Sequence, residues 1–283
     1  DLPRVYNADT QQHDRFALGK IAQSRVPGES AVIEHQKMMI FGKPGSGKTT
    51  FLKHIAIQCI ENSFQPHSIP IFIQLRTYIN EVYQNGGITL EKHVKDIVSM
   101  SQSVDALLLD NLIKYGRFLI LLDGLDEVPS EESDNIIYQI QLLCKNLKKN
   151  RIIITCRIAA YEYSFAGFTE VEISDFNIDQ IKSFSRKWFL SSLGSEKGRE
   201  ISKAFIKKIQ GPKHQQIREL AVTPILLTLA CLVFETNKKF PESRYQLYKD
   251  GIDILLSRWD KGRKIKRGSD KIYKSLNLSS KQE

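Results

Sequence analysis

Apolar residues along this 283-residue chain follow two different rhythms. Up to about residue 174 they gather in short runs: 38–41 (MMIF), 118–122 (FLILL) and 151–155 (RIIIT), with 70–75 (PIFIQL) and 171–173 (VEI) each broken by one polar residue. Runs this short and continuous suit strands of a parallel sheet covered on both faces. Pro70 is compatible with that, because a strand tolerates proline at its first residue. Between the runs lie stretches of helical length at 49–60, at about 90–115 after Gly86 and Gly87, and at 131–149. The last of these begins with Glu131 and Glu132 and ends with Lys145, Lys148 and Lys149, which matches the helix dipole. Strand alternating with helix predicts a doubly wound parallel α/β sheet of about five strands, with ligands at the carboxyl ends of its strands.

From about Asn177 the rhythm changes to a helical one. Ile178, Ile181, Phe184 and Trp188 recur on one face, then Ile201, Phe205 and Ile209, then Tyr245, Tyr248, Ile252, Leu255 and Trp259. The second domain is therefore expected to be helical, with these aromatic positions in its core. The expected limits are a lead-in segment at 1–37, with a short helix near 16–26, an α/β domain at 38–174, a helical domain at 175–260 and a basic linker at 261–283.

Directly after the first apolar run stand Gly42, Lys43, Pro44, Gly45, Ser46, Gly47, Lys48, Thr49 and Thr50. They fit the pattern G-x-x-x-x-G-K-[ST], a loop whose backbone N–H groups close around nucleotide phosphates at the positive end of the following helix. Lys48 would reach the β- and γ-phosphates, and the Thr49 hydroxyl would ligate Mg²⁺. Gly45 and Gly47 permit close approach of the backbone. A glycine turn with no ligand is the alternative, and it leaves the preceding strand and the following buried helix as coincidence.

A second group follows the FLILL run: Asp123, Gly124, Leu125, Asp126 and Glu127. A buried strand delivering a carboxylate to the sheet edge suits a Mg²⁺-side acid, which assigns Asp123 to the metal. Either Asp126 or Glu127 could orient or deprotonate the water that attacks the γ-phosphate. Arg157 comes two residues after the RIIIT run. Should that strand lie beside the phosphate-loop strand, Arg157 would reach the γ-phosphate.

Composition adds limits. Hydrophobic residues at 41% and charged residues at 26% describe an ordinary globular protein. Cys59, Cys144, Cys156 and Cys231 stand far apart in apolar runs, without metal-ligand spacing, and are expected to be core thiols in a reducing compartment. The longest mostly apolar stretch, 220–234, is interrupted by Pro224 and falls short of a bilayer span, and the polar start DLPRVYNADTQQ shows no signal peptide, so no membrane partner is expected. The first residue is Asp1, which suggests a segment of something longer. The net charge of +9 is partly due to Lys261, Arg263, Lys264, Lys266, Arg267 and Lys271. With no aromatic interleaving, this run reads first as a solvated linker, and second as a contact for nucleic acid or an acidic partner.

Together GKPGSGKTT, LLDGLDE, the strand ending IIITCR and the later ELAVTPILLTLAC resemble the NACHT family, within the STAND class of P-loop signal-transduction ATPases. The likeness covers roughly residues 38–259. It implies that the arginine-bearing strand is inserted between the phosphate-loop and acidic-box strands, and that Pro224, opening a helix of the helical domain, packs beside the nucleotide base. It also implies a cytoplasmic ATP/ADP switch, slow hydrolysis with Mg²⁺, self-association of the parent protein on activation, and effector and sensor domains outside this segment, in signalling, innate immunity or antiviral defence. A winged-helix domain usually follows in the family, and this sequence stops near its beginning. The other readings are a nucleic-acid-stimulated AAA-type ATPase, a GTPase, and a nucleotide-locked scaffold. The sequence has no N-K-x-D guanine motif after the acidic box, which favours ATP.

Overall fold

Five parallel strands form the sheet: β1 (Lys37–Gly42), β2 (Ile69–Gln74), β3 (Phe118–Asp123), β4 (Arg151–Arg157) and β5 (Thr169–Glu172), in the order β2-β3-β4-β1-β5. The arginine-bearing strand thus lies between the phosphate-loop and acidic-box strands. The structure, a computed structural model, describes residues 25–100, 104–158 and 165–262, with side chains up to residue 258. The helix expected near 16–26 falls almost wholly outside the described residues, as do the basic run from Arg263 onward and the side chain of Trp259.

Strand alternation sorts the apolar runs onto two faces. Met39, Phe41, Phe118, Ile120, Leu122, Ile152, Ile154 and Cys156 pack on one side, where Leu90, Val94, Ile136, Ile140 and Leu143 come from covering helices. Met38, Ile40, Leu119, Leu121, Ile153 and Val171 pack on the other, against α1 (Gly28–Glu34) and α2 (Lys48–Ile60). All six residues of β3 are buried, as a central strand covered on both faces requires.

The connections differ from the sequence pattern in detail. The region 90–115 is two helices, Leu90–Ser99 and Ala106–Lys114, each opened by a side-chain cap from Thr89 or Asp105. The helix expected over 131–149 runs only over Ser133–Asn146. Glu131 and Glu132 fall in a preceding 3₁₀ turn set by Pro129, and Lys148 and Lys149 lie beyond the end. Buried Asn150 closes that end: its amide donates to the carbonyls of Leu147 and Ile113, and its Oδ1 accepts the Phe118 N–H at 2.9 Å. One side chain thereby stops a helix and aligns the start of β3.

The chain divides into two units, Asp1–Ser174 and Asp175–Glu283, each described by itself. In the second, Asn177 and Gln180 make a reciprocal capping box that starts the helix Ile178–Leu193. The helices Ser195–Ile209, Gln215–Leu220, Pro224–Asn237 and Arg244–Gly262 follow. Phe189, Phe205, Phe234 and Phe240 meet at the centre, with ring centroids 4.8–6.3 Å apart where they touch. Here one expectation fails. Tyr245, Tyr248, Ile252 and Leu255 do not enter the core; Tyr245 is 68% exposed and Leu255 52%. The buried side of that helix carries Leu247 and Gly251, with Ile254 partly buried. The helix has two apolar stripes, and the one bearing glycine allows the closest approach: a Cβ on Gly251 would lie 2.2 Å from Leu229 Cδ1.

Candidate functional site

The site follows from register. In β3, alternation puts Asp123 on the face of Leu119 and Leu121; in β4, it puts Thr155 and Arg157 on the face of Ile153. That is the face covered by α2, which the phosphate loop opens. Gly42, the first residue of the loop, lies directly opposite Arg157 across the β1–β4 pair. Arg157 is the last residue of β4, so the strand runs two residues further than its apolar pattern suggests.

The loop has the features an anion cradle needs. Gly47, at φ 98°, is left-handed and opens α2 with no side chain capping the helix's first N–H groups. Ser46 Oγ is buried without a hydrogen-bond partner, an unmet polar atom inside the loop. Lys48 Nζ folds back on the loop, donating to the carbonyls of Gly42 at 2.8 Å and Lys43 at 3.3 Å. Burial holds the Lys48 ammonium below its usual pKa; Asp126 opposes that shift and Arg157 adds to it. These residues fit a nucleotide's phosphates and their Mg²⁺. Thr49 stands in the first turn of α2, where its hydroxyl could serve the metal.

Beyond β3 the chain turns sharply. Gly124 takes φ 77° and ψ 57°, and Leu125–Glu127 form a 3₁₀ turn. The two acids of that turn have different surroundings. Asp126 is 7% exposed and held twice by Arg157, from Nε to Oδ2 at 3.0 Å and from the backbone N–H to Oδ1 at 2.9 Å. Glu127 is 49% exposed and only 3.7 Å from Arg157 Nη2. Asp123 is buried, and its Oδ1 accepts a 2.7 Å hydrogen bond from the Thr155 hydroxyl. That hydroxyl also accepts the Gly124 N–H at 2.8 Å.

The structure therefore brings together Gly42 to Thr50, Asp123, Asp126, Glu127 and Arg157 in the first unit. Pro224, at the first position of the helix Pro224–Asn237, belongs to the second unit. Thr155 was missed by sequence reasoning. A signal existed, since Thr155 is the lone hydroxyl in the run IIITC and shares the sheet face of Asp123. Cys156, by contrast, points into the opposite core, and burial pushes its thiol up to about 12, which keeps it protonated. Among the described residues no helix is long and apolar enough to cross a membrane.

The NACHT domain family model matches residues 36–192. Among solved structures, domain III of the Thermotoga maritima replication initiation protein DnaA is similar at 15% identity and TM-score 0.43, over 81% of this chain and 90% of that chain. C. elegans PCH-2 is similar at 12% identity and TM-score 0.38, over 79% and 62%. A STAND protein with a tetratricopeptide-repeat sensor from Pyrococcus horikoshii is similar at 15% identity and TM-score 0.38, over 80% of this chain and 31% of that one. No curated protein matches.

Proposed function

The chain belongs to the NACHT family, and on that premise of a nucleotide-binding P-loop NTPase module we propose that it is a slow ATP-hydrolysing switch, with Glu127 activating the attacking water. The supporting observation is the unequal engagement of the two acids by Arg157. Asp126 is nearly sealed from solvent and carries two hydrogen bonds from one residue, so it anchors Arg157. Glu127 is half-exposed and loosely paired, and can hold a water.

The roles of the other residues follow from their positions. Lys48 would exchange the Gly42 and Lys43 carbonyls for the β- and γ-phosphates, where a partly desolvated ammonium acts more strongly than in water. The backbone of residues 42–50 would wrap the phosphates, with Ser46 Oγ offering a further contact. Mg²⁺, held by Thr49 and Asp123, would neutralise charge on the transferring phosphoryl group. Arg157, fixed by Asp126 and opposite Gly42, would turn toward the γ-phosphate and report its presence. Pro224, at the first position of its helix, is proposed to lie beside the base, as the family resemblance implies. In this reading ADP keeps the parent protein closed and ATP allows self-association, in cytoplasmic signalling or defence, with sensor and effector domains outside this chain.

Denaturing the purified protein and chromatographing the released nucleotide tests the first step. ADP in near-stoichiometric amount is expected; GDP would overturn the base assignment. In single-turnover assays Glu127→Gln should retain ATP binding and slow hydrolysis by roughly 10²-fold or more. Asp126→Asn should instead loosen Arg157 and weaken the distinction between ATP and ADP. Hydrolysis at the normal rate in Glu127→Gln would remove Glu127 from the role.

A further inference from the structure

Thr155 is wholly buried among Ile152, Ile153, Ile154 and Cys156, where a hydroxyl persists only with its hydrogen bonds made. The β3–β4 pairing ends at Leu122 opposite Ile154, because Gly124 turns left-handed and takes β3 out of the sheet. The Gly124 N–H would otherwise be left in a buried environment, and Thr155 Oγ1 accepts it at 2.8 Å. That bond fixes the direction of the other one. An N–H can only donate, so the hydroxyl hydrogen of Thr155 is free to go to Asp123 Oδ1, 2.7 Å away. The result is a carboxylate held as an acceptor and oriented from a rigid strand.

We propose that Thr155 is a positioning residue for Mg²⁺, acting through Asp123. This rests on the reading of Asp123 as the metal-side acid. A hydroxyl that orients a ligating carboxylate governs metal affinity without touching the metal, and losing such an outer partner typically weakens the metal by about 10–100-fold. The effect should be confined to the metal, because the hydrogen bonds of the Thr155 hydroxyl go to Asp123 and Gly124 rather than to the loop at 42–50 that would hold the phosphates.

The test is equilibrium binding of a fluorescent ATP analogue to the full chain, titrated with Mg²⁺ and repeated in EDTA. Thr155→Val keeps the shape and removes the hydroxyl. It should raise the Mg²⁺ concentration for half-maximal effect by about tenfold or more, with affinity in EDTA unchanged. Thr155→Ser, which keeps the hydroxyl, should stay near the wild-type curve. In an Asp123→Ala background the valine change should add nothing to the Mg²⁺ response, because the two residues act as one unit. Thr155→Ala is read in the same way and keeps the test decisive should the valine variant fold poorly, with folding followed by circular dichroism. A wild-type Mg²⁺ curve in the folded valine or alanine variant, or an equal loss in EDTA, would overturn the proposal for Thr155 alone. Wild-type binding indifferent to Mg²⁺ would overturn the reading of Asp123 and the proposal with it.

Discussion

Replacing Gly124 by alanine adds one carbon at the point where β3 leaves the sheet, and its effects on stability and on chemistry should separate. The backbone there is left-handed, at φ 77° and ψ 57°, which costs an L-residue about 1–2 kcal/mol. The new Cβ would lie 3.2 Å from both Cδ and Oε2 of Glu127 and 3.3 Å from its Cγ. Those separations are below the ~3.5–4.0 Å optimum for carbon contacts, so the carboxylate must give way by a few tenths of an ångström. Glu127 is half-exposed and can swing aside, so the clash adds little to the backbone term. The Gly124 N–H bond to Thr155 survives, since alanine keeps the amide. The expected loss is therefore about 1–2 kcal/mol, which in a unit of this size lowers Tm by roughly 2–8 °C. Hydrolysis should fall further than that suggests. A displacement of ~1 Å in a positioned group can lower a rate by about 10²-fold, so a decrease of at least about tenfold is expected. Nucleotide affinity, which we assign to residues 42–50, should be unchanged. Calorimetry, nucleotide binding and single-turnover hydrolysis on one preparation decide the matter. A lowered Tm with hydrolysis at the wild-type rate would refute the placement of the water-activating group over Gly124.

Lys48→Ala should abolish binding of ATP and ADP in equilibrium dialysis while the fold persists, because among the described residues Lys48 donates its hydrogen bonds to loop carbonyls. Phe205→Ala removes a ring in contact with Phe189, Phe234 and Phe240 and should lower the stability of the helical unit by about 3–5 kcal/mol in denaturant titrations. Burial lowers the pKa of His93 and of His214 below 6.5, with Lys208 and Lys213 adding to the shift at His214 and Asp96 opposing it at His93. The unfolded chain binds these protons more tightly, so the stability they allow is present above pH 6.5 and lost as pH falls through their lowered folded values. The denaturant midpoint should thus fall between pH 7 and 5, and His214→Gln should flatten part of that fall.

Much of the site was legible because its pieces are local. The phosphate loop needs one glycine-rich segment between a strand and a helix, and residues 38–60 contain all of it. The acid cluster likewise needs only a buried strand and the turn after it. The continuous apolar runs of β1, β3 and β4 marked those strands, since a strand covered on both faces is apolar at nearly every position, whereas the edge strands β2 and β5 carry Gln74, Glu170 and Glu172 and were marked by runs broken by a polar residue. Their order in the sheet was implied only by family resemblance, and pairing between distant segments leaves no periodic trace in either of them.

Periodicity could not decide which apolar stripe of the helix Arg244–Gly262 is buried, because both stripes have helical spacing. Close approach at Gly251 decided it. Nor could it tell Asp126 from Glu127, which are adjacent carboxylates in one turn. Arg157, thirty residues further along the chain and brought in by β4, seals one and leaves the other open to water. Sequence alone determined the chemistry available, namely a phosphate cradle, three acids and a cation, because each depends on residue type and near neighbours. Tertiary structure alone decided which acid is the more loosely held and that Thr155 bonds Asp123, because those depend on contacts between strands whose register is set by the whole sheet.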